Sequence, residues 1–209
     1  MEKTEKTITA YNKNSEDYTN KFMNFPLYEK KIKEFISFLD CGNEVLDLGC
    51  GPGNVLKWLC SSGKEFSITG VDFSEKMLKI AEKNIPEGKF YCEDITNISF
   101  DESTFDVIIL SFCIVHLDDN EMKVVLEKVS KYLRNKGKIY LSFMEGKEPG
   151  FETTSFSKEE IYYNYYEADK VRDLLANYDF EILKLSKQDY PEPDGSVTTD
   201  VFIFAEKNE

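Results

Sequence analysis

The sequence predicts an α/β fold, a doubly wound sheet with helices on both faces. Three observations predict it. Strand-like and helix-like segments alternate from residue 43 onward. The first strand-like run closes on a glycine-rich turn, in "VLDLGCGPGNVLKWL" (Val45–Leu59). The run "FDVIILSF" (Phe105–Phe112) is apolar almost throughout, as in a central strand buried on both faces of a parallel sheet.

Two segments before the first strand, 7–20 and 28–39, have helical spacing. Ile32, Phe35, Ile36 and Leu39 form the stripe of the second. "NEVLDLG" is the first strand. "NVLKWLCSSG" follows as a helix with Val55, Leu56 and Leu59 on one face and Gly63 as its stop. "FSITGVDF" is the second strand. Ser74 then caps "EKMLKIAEKN", whose stripe is Met77, Leu78 and Ala81. "KFYCED" is the third strand and "FDVIILSF" the fourth. Asp118 or Asp119 caps a long helix through Met122, Val125, Leu126, Val129 and Leu133, which Asn135–Gly137 ends. "KIYLSFME" is the fifth strand. Residues 145–166 are aromatic and polar without clear periodicity. "EADKVRDLLANY" is helical. "DFEILKLSKQ" and "SVTTDVFIFAEK" close the chain as a strand pair joined by the turn-rich "DYPEPDG".

Composition narrows the function classes. A length of 209 residues favours one domain with room for a sizeable core. The net charge of -13 repels phosphate backbones and anionic lipid surfaces, so no nucleic-acid or membrane partner is expected. No apolar run is long enough to span a bilayer. The polar opening "MEKTEKTITAYNKN" lacks the apolar core of a secretory signal. Five cysteines, Cys41, Cys50, Cys60, Cys92 and Cys113, have no C-x-x-C spacing and fit the reduced thiols of a cytoplasmic protein. With a single histidine, His116, no metal site is expected; Asp118-Asp119-Asn120 is read as a helix cap.

The glycine turn holds a nucleotide-like ligand, and three chemistries compete for it. A P-loop needs Lys and Ser/Thr after its last glycine; Asn54 and Val55 stand there. A dinucleotide fold needs G-x-G-x-x-G; Asn54 occupies the third glycine's place and would crowd the helix–strand contact. Asp72, at the end of the second strand, suits a ribose in either case. Asp47 discriminates. A carboxylate two residues before Gly49 repels a pyrophosphate and attracts a cation. S-adenosylmethionine carries an ammonium and a sulfonium and no phosphate.

On these residues the chain is similar to a known family. "VLDLGCGPGN" resembles the D-x-G-x-G-x-G motif of class I, Rossmann-like S-adenosylmethionine-dependent methyltransferases. "ITGVDFSEKMLKIAEKN" resembles their second-strand region, and "FYCEDITNISFDESTFDVIILSFCIVHLDD" their third-strand acid and fourth strand. "LRNKGKIYLSF" resembles their fifth-strand entry, with Asn135-Lys136-Gly137 in place of Pro-Gly-Gly. The resemblance covers about residues 40–145, and "YYEADKVRDLLANYDFEIL" matches more loosely. It implies a seven-stranded sheet with the last strand antiparallel. It also implies S-adenosylmethionine as cofactor, a small-molecule acceptor, and a monomer or homodimer.

Site roles follow from the same resemblance. Gly49, Gly51 and Gly53, with Cys50 and Asn54 of the same loop, let the backbone approach the methionine part. Asp47 lies by the amino acid or sulfonium, and Asp72 takes the ribose hydroxyls. Phe73 and Met77 flank the adenine, although Met77 also fits the helix stripe. Asp94 and Ile95 meet the adenine edge, with Glu93 leaving that register open by one. Ser111 and Phe112 stand where cofactor and acceptor meet. His116 is either a general base or a packed residue that orients its loop. "AYNKNSEDYTNKF" resembles the family's tyrosine-bearing opening, with Ser15 for the usual Ala, and makes Tyr11 part of a lid over the cofactor. The expected division is lid helices in 1–40 and the catalytic domain in 41–209. Within the domain, 145–166 forms an aromatic cap that walls the acceptor pocket. Two alternatives stand beside this reading. One is a non-catalytic domain binding the same cofactor or its demethylated product. The other is an NAD(P)-dependent oxidoreductase, for which Tyr166 and Lys170 have Y-x-x-x-K spacing.

Overall fold

A computed structural model describes residues 2–192, 195 and 197–209. Its main sheet has seven strands: β1 (Asn43–Leu48), β2 (Phe66–Asp72), β3 (Lys89–Cys92), β4 (Phe105–Ser111), β5 (Leu133–Glu145), β8 (Phe180–Pro191) and β9 (Val197–Lys207). Their order is β3-β2-β1-β4-β5-β9-β8. β1 to β5 pair in parallel, while β9 runs antiparallel to both β5 and β8. The expected doubly wound sheet with its last strand antiparallel is therefore the observed one.

Residue alternation in the central strands explains the two-faced core. Ile108 and Leu110 of β4 join one apolar cluster with Val125, Leu126 and Val129 of α6 (Asp119–Tyr132) and with Val171 and Leu175 of α7 (Ala168–Asn177). Val107 and Ile109 point the other way. They join Phe35 of α3 (Pro26–Ile36), Leu56 and Leu59 of α4 (Asn54–Cys60) and Leu78 of α5 (Glu75–Asn84). A strand packed on both faces has no solvent side to mark with polar residues.

Four local expectations change. The segment 7–20 is two helices, α1 (Glu2–Lys13) and α2 (Ser15–Phe22). The break falls at Asn14, whose amide donates back to the Ala10 carbonyl (2.8 Å) and across to Ser157 (3.1 Å). Such local side-chain bonds compete with helix continuation. The second helix stops at Ile36, where the Lys64 ammonium takes the Ile36 and Leu39 carbonyls. α6 ends at Tyr132, and Leu133 already pairs with Phe105. The residues of "RNKG" form an irregularity in β5, with Lys136 at φ 61°. A Cβ at Gly137 would lie 2.6 Å from the Leu133 side chain, so that approach needs glycine.

The largest difference lies in 145–166, which holds an antiparallel hairpin, β6 (Gly150–Thr154) and β7 (Ser157–Tyr163). Alternation is masked because both faces of β7 carry rings. Ile161 and Tyr163 are buried in the core, and Tyr162 lies under the Lys3 ammonium of α1 (4.9 Å). Of the "DYPEPDG" turn, Asp189, Tyr190 and Pro191 belong to β8. Pro193 and Asp194 lie outside the described residues, as does Ser196 at the start of the last expected strand.

Candidate active site

The carboxyl ends of β1, β2 and β4 meet at the glycine turn, where ligands bind in open α/β sheets. Gly49, Gly51 and Gly53 all have positive φ (73°, 53° and 86°). Their surroundings differ. A Cβ on Gly49 would lie 2.4 Å from the Cβ of Cys113, and one on Gly53 would lie 2.4 Å from Ile85. Those two glycines let the turn pack tightly. A Cβ on Gly51 would meet nothing closer than 3.7 Å, so this glycine leaves its backbone bare toward the cavity.

Asp72 binds the turn from below. One carboxylate oxygen accepts from the Gly51 N–H (2.8 Å) and the other from the Ser74 N–H (2.8 Å). Burial raises the Asp72 pKa and those two N–H groups hold it back. Asp47 has no such support. It is 1% exposed, and its Oδ1 has no hydrogen-bond partner. Burial, with the Asp72 charge nearby, holds its carboxyl well above the usual carboxylate range. A buried acceptor left unmade is costly and needs a reason. A cation seated against it supplies one, which fits the ammonium or sulfonium of S-adenosylmethionine and not a phosphate.

Two adjoining cavities meet over this turn. The smaller, about 120 Å³, is lined by Asp72, Phe73, Met77, Asp94, Ile95 and His116 among others. The larger, about 430 Å³, is lined by Asp47, Cys50 and Asn54 and then by aromatic residues. Tyr11, Gly49, Gly51, Ser111 and Phe112 line both. Every cofactor residue expected from sequence thus faces one cavity or both, except Gly53, which packs beneath the turn against α5. Asp94 rather than Glu93 faces the smaller cavity, and its Oδ1 accepts from the Thr96 N–H (2.8 Å). Met77 is both core, at 2% exposure, and cavity wall.

Phe112 directly follows β4 at φ 51°, an uncommon conformation for a bulky residue. Ser142 holds it there, taking the Phe112 N–H on both its carbonyl (3.0 Å) and its hydroxyl (3.1 Å). The strained turn aims the Phe112 ring at Tyr28 (5.0 Å between centroids) inside the larger cavity.

His116 sits in a short 3-10 turn after β4. Its Nδ1 donates to the Tyr162 carbonyl (2.8 Å), since a carbonyl only accepts. In the neutral ring Nε2 then accepts from the Tyr11 hydroxyl (3.0 Å). Burial lowers the His116 pKa to about 4. Asp118 forms a capping box with Glu121 at the start of α6, as its helix-cap reading expects.

Sequence reasoning missed the far wall of the larger cavity. Asp200 of β9 is 2% exposed, accepts from the Tyr28 hydroxyl (3.0 Å), and is pushed up to about 7 by burial. Its signal was present: one acid directly ahead of the apolar run "VFIFA" of an inner strand. Tyr28, Phe25 and Tyr190 complete that wall. Tyr166 and Lys170 do not form a reductase pair. The Tyr166 hydroxyl donates to the Leu117 carbonyl (2.9 Å), while Lys170 is exposed beside Glu167.

Fold and site together fit an adenosyl ligand that carries positive charge. Residues 45–137 match a family model described as a methyltransferase domain. A demethylmenaquinone methyltransferase of Thermotoga maritima is 32% identical over 128 residues, covering 60% of this chain and 55% of that protein. A malonyl-[acyl-carrier protein] O-methyltransferase of Bacillus anthracis is 35% identical over 100 residues, 47% of this chain and 36% of that one. The chain spans about half or less of the length of these relatives. The crystal structure of a methyltransferase from Methanosarcina mazei superposes with a TM-score of 0.72 at 20% identity, covering 82% of this chain and 95% of the other. Residues 45–137 thus carry the features of a methyltransferase domain, and the fold is that of class I S-adenosylmethionine-dependent methyltransferases.

Proposed function

We propose that this protein transfers a methyl group from S-adenosylmethionine to a small-molecule acceptor by in-line displacement. The orphaned Asp47 carboxylate carries the reading, because it lines the larger cavity beside Gly49 and Gly51, which line both. When bound, the cofactor supplies an electrophilic methyl group on a sulfonium. Asp47 and the Gly51 backbone would hold its amino-acid end. Asp72, Phe73, Met77, Asp94 and Ile95 would hold its adenosine end in the smaller cavity. The larger cavity would take the acceptor. Its volume suits one small molecule, and its main contribution is alignment and exclusion of water.

The N-terminal helices act as a lid and the 145–166 hairpin as its cap. Tyr11 and Tyr18 roof both cavities, and Phe156 at the hairpin turn packs on Tyr11 (5.6 Å) and Tyr18 (5.1 Å). The geometry supports the orienting role for His116 over the general-base role. Its basic lone pair is engaged by Tyr11 and its pKa lies far below neutral. The protein acts as a cytoplasmic monomer or homodimer without nucleic-acid or membrane partners, consistent with its acidic charge.

Calorimetry should show S-adenosylmethionine and S-adenosylhomocysteine both binding, and a panel of acceptors should release S-adenosylhomocysteine. Binding without turnover on any acceptor class would favour the non-catalytic reading. Failure to bind either compound would overturn the proposal.

A further inference from the structure

The acceptor half of the larger cavity has a marked chemistry of its own. Its walls are rings: Phe25, Tyr28, Phe112 and Tyr190, with Phe25 and Tyr28 centroids 5.0 Å apart. Its charged residues are Asp47 at the cofactor end, and Glu152, Glu192, Asp200 and Lys147 elsewhere. Lys147 is already committed, with its ammonium 3.4 Å from Glu152 and over the Tyr165 ring. The cavity is therefore acidic on balance, and its buried acid, Asp200, lies among aromatic faces. β9 places Asp200 between Met144 of β5 and Gln188 of β8, beside the strand ends that carry Ser111 and Phe112. Tyr28 donates to only one of its oxygens, Oδ2.

A carboxylic or phosphorylated acceptor would meet like charge here. A neutral phenol could donate one hydrogen bond to Asp200, as Tyr28 already does, but brings no charge to offset that of the buried acid. A cationic head gains on both counts, from the carboxylate and from the ring faces.

We propose that the acceptor is an amine, its ammonium head received among the Tyr28 and Phe112 rings, with the Asp200 carboxylate accepting its proton. This rests on the methyltransferase reading above. The balance is simple. An N–H bond breaks and its proton passes to the Asp200 oxygen, leaving a lone pair on nitrogen. That pair forms the new N–C bond as the methyl C–S bond breaks, and the C–S electron pair stays on sulfur. The product is a methylated ammonium and a neutral thioether, and Asp200 returns its proton to water. Burial, which favours the protonated form of Asp200, makes that carboxylate a better base than an exposed one.

The test is binding to the S-adenosylhomocysteine-saturated protein, followed by calorimetry and by the fluorescence of Trp58, which lines the cavity. The probes are benzyltrimethylammonium, benzyl alcohol and benzoate. The cation should bind at least about tenfold tighter than either of the others. Asp200→Asn should weaken the cation by about tenfold or more and leave the affinity for S-adenosylhomocysteine within about twofold. Turnover of benzylamine-type acceptors over phenols and carboxylates would agree. Equal or tighter binding of the alcohol or benzoate overturns the proposal, as does an unchanged cation affinity in Asp200→Asn. If that variant fails to fold, the probe ranking on the unmutated protein decides alone. Failure of S-adenosylhomocysteine to bind sinks the methyltransferase reading instead, and the two failures are told apart at the first titration.

Discussion

Asp47 is a cost that the unliganded protein carries. Its folded pKa lies above the unfolded value, so the folded chain keeps a proton that the unfolded chain has released. The sign follows. Its contribution to stability is full below the ordinary carboxylate range and is lost as pH rises from there toward the raised folded value. Asp47→Asn removes that loss. The unliganded variant should melt higher than the parent at pH 7, yet bind S-adenosylmethionine more weakly by about 1.5–3 kcal/mol, the range for a hydrogen bond to a charged group. Thermal melts and calorimetry on the same preparations check both halves, and a variant that loses stability and affinity together would make Asp47 structural. His116 has the opposite sign. Its folded pKa of about 4 lies below the ordinary 6.5, so its neutral ring favours the fold fully above pH 6.5 and progressively less toward pH 4. In His116→Gln the melting midpoint should fall less between pH 7 and pH 4 than in the parent. An unaltered acid limb would assign the loss to other groups.

The elements around the site are sewn together by side chains far apart in sequence. Asn14 between α1 and α2 bonds Ser157 and Glu159 of β7, Lys13 pairs with Glu159, and Lys3 reaches Glu121 of α6. Phe156 fills the seam, touching Tyr11, Tyr18 and Phe22. Phe156→Ala should cost about 1–2 kcal/mol, less than the 3–5 of a fully buried ring, and shift lid opening by a factor of about 5–30. Hydrogen exchange should accelerate in α1 and α2 and stay unchanged in β1 and β4; equal rates in the lid of both proteins would remove Phe156 from the seam. These contacts also show where sequence reading stops. The main-sheet strands and the glycine turn were legible because each strand meets its neighbours over many residues, which constrains apolar pattern locally. Asp47 was legible because its chemistry contradicts the loop's commonest ligand. The β6–β7 hairpin was not, since rings on both its faces answer to α1 and the 3-10 turn, elements more than forty residues away in the chain. Asp200 was overlooked for a related reason: its partner Tyr28 is supplied by α3, 172 positions earlier.

At the scale of the molecule, charge governs how the ligand arrives. The net charge of -13 surrounds a cavity whose own lining is acidic on balance. S-adenosylmethionine, with ammonium, sulfonium and carboxylate, has one net positive charge, while S-adenosylhomocysteine has none. The field therefore draws in the donor and is indifferent to the spent product, a bias in the useful direction for turnover. Ionic strength screens such steering. The Debye length shrinks from about 30 Å at 0.01 M to about 8 Å at 0.15 M, so the field still spans the cavity mouth at the lower salt and hardly leaves the surface at the higher. Trp58, the single tryptophan, stands in the cavity wall and reports entry without a label. Stopped-flow fluorescence across that salt range should show the association rate of S-adenosylmethionine falling severalfold, with that of S-adenosylhomocysteine nearly constant and both dissociation rates little changed. Parallel salt dependence for the two ligands would mean that lid opening, rather than charge, limits entry. The Phe156→Ala variant would then accelerate both associations equally.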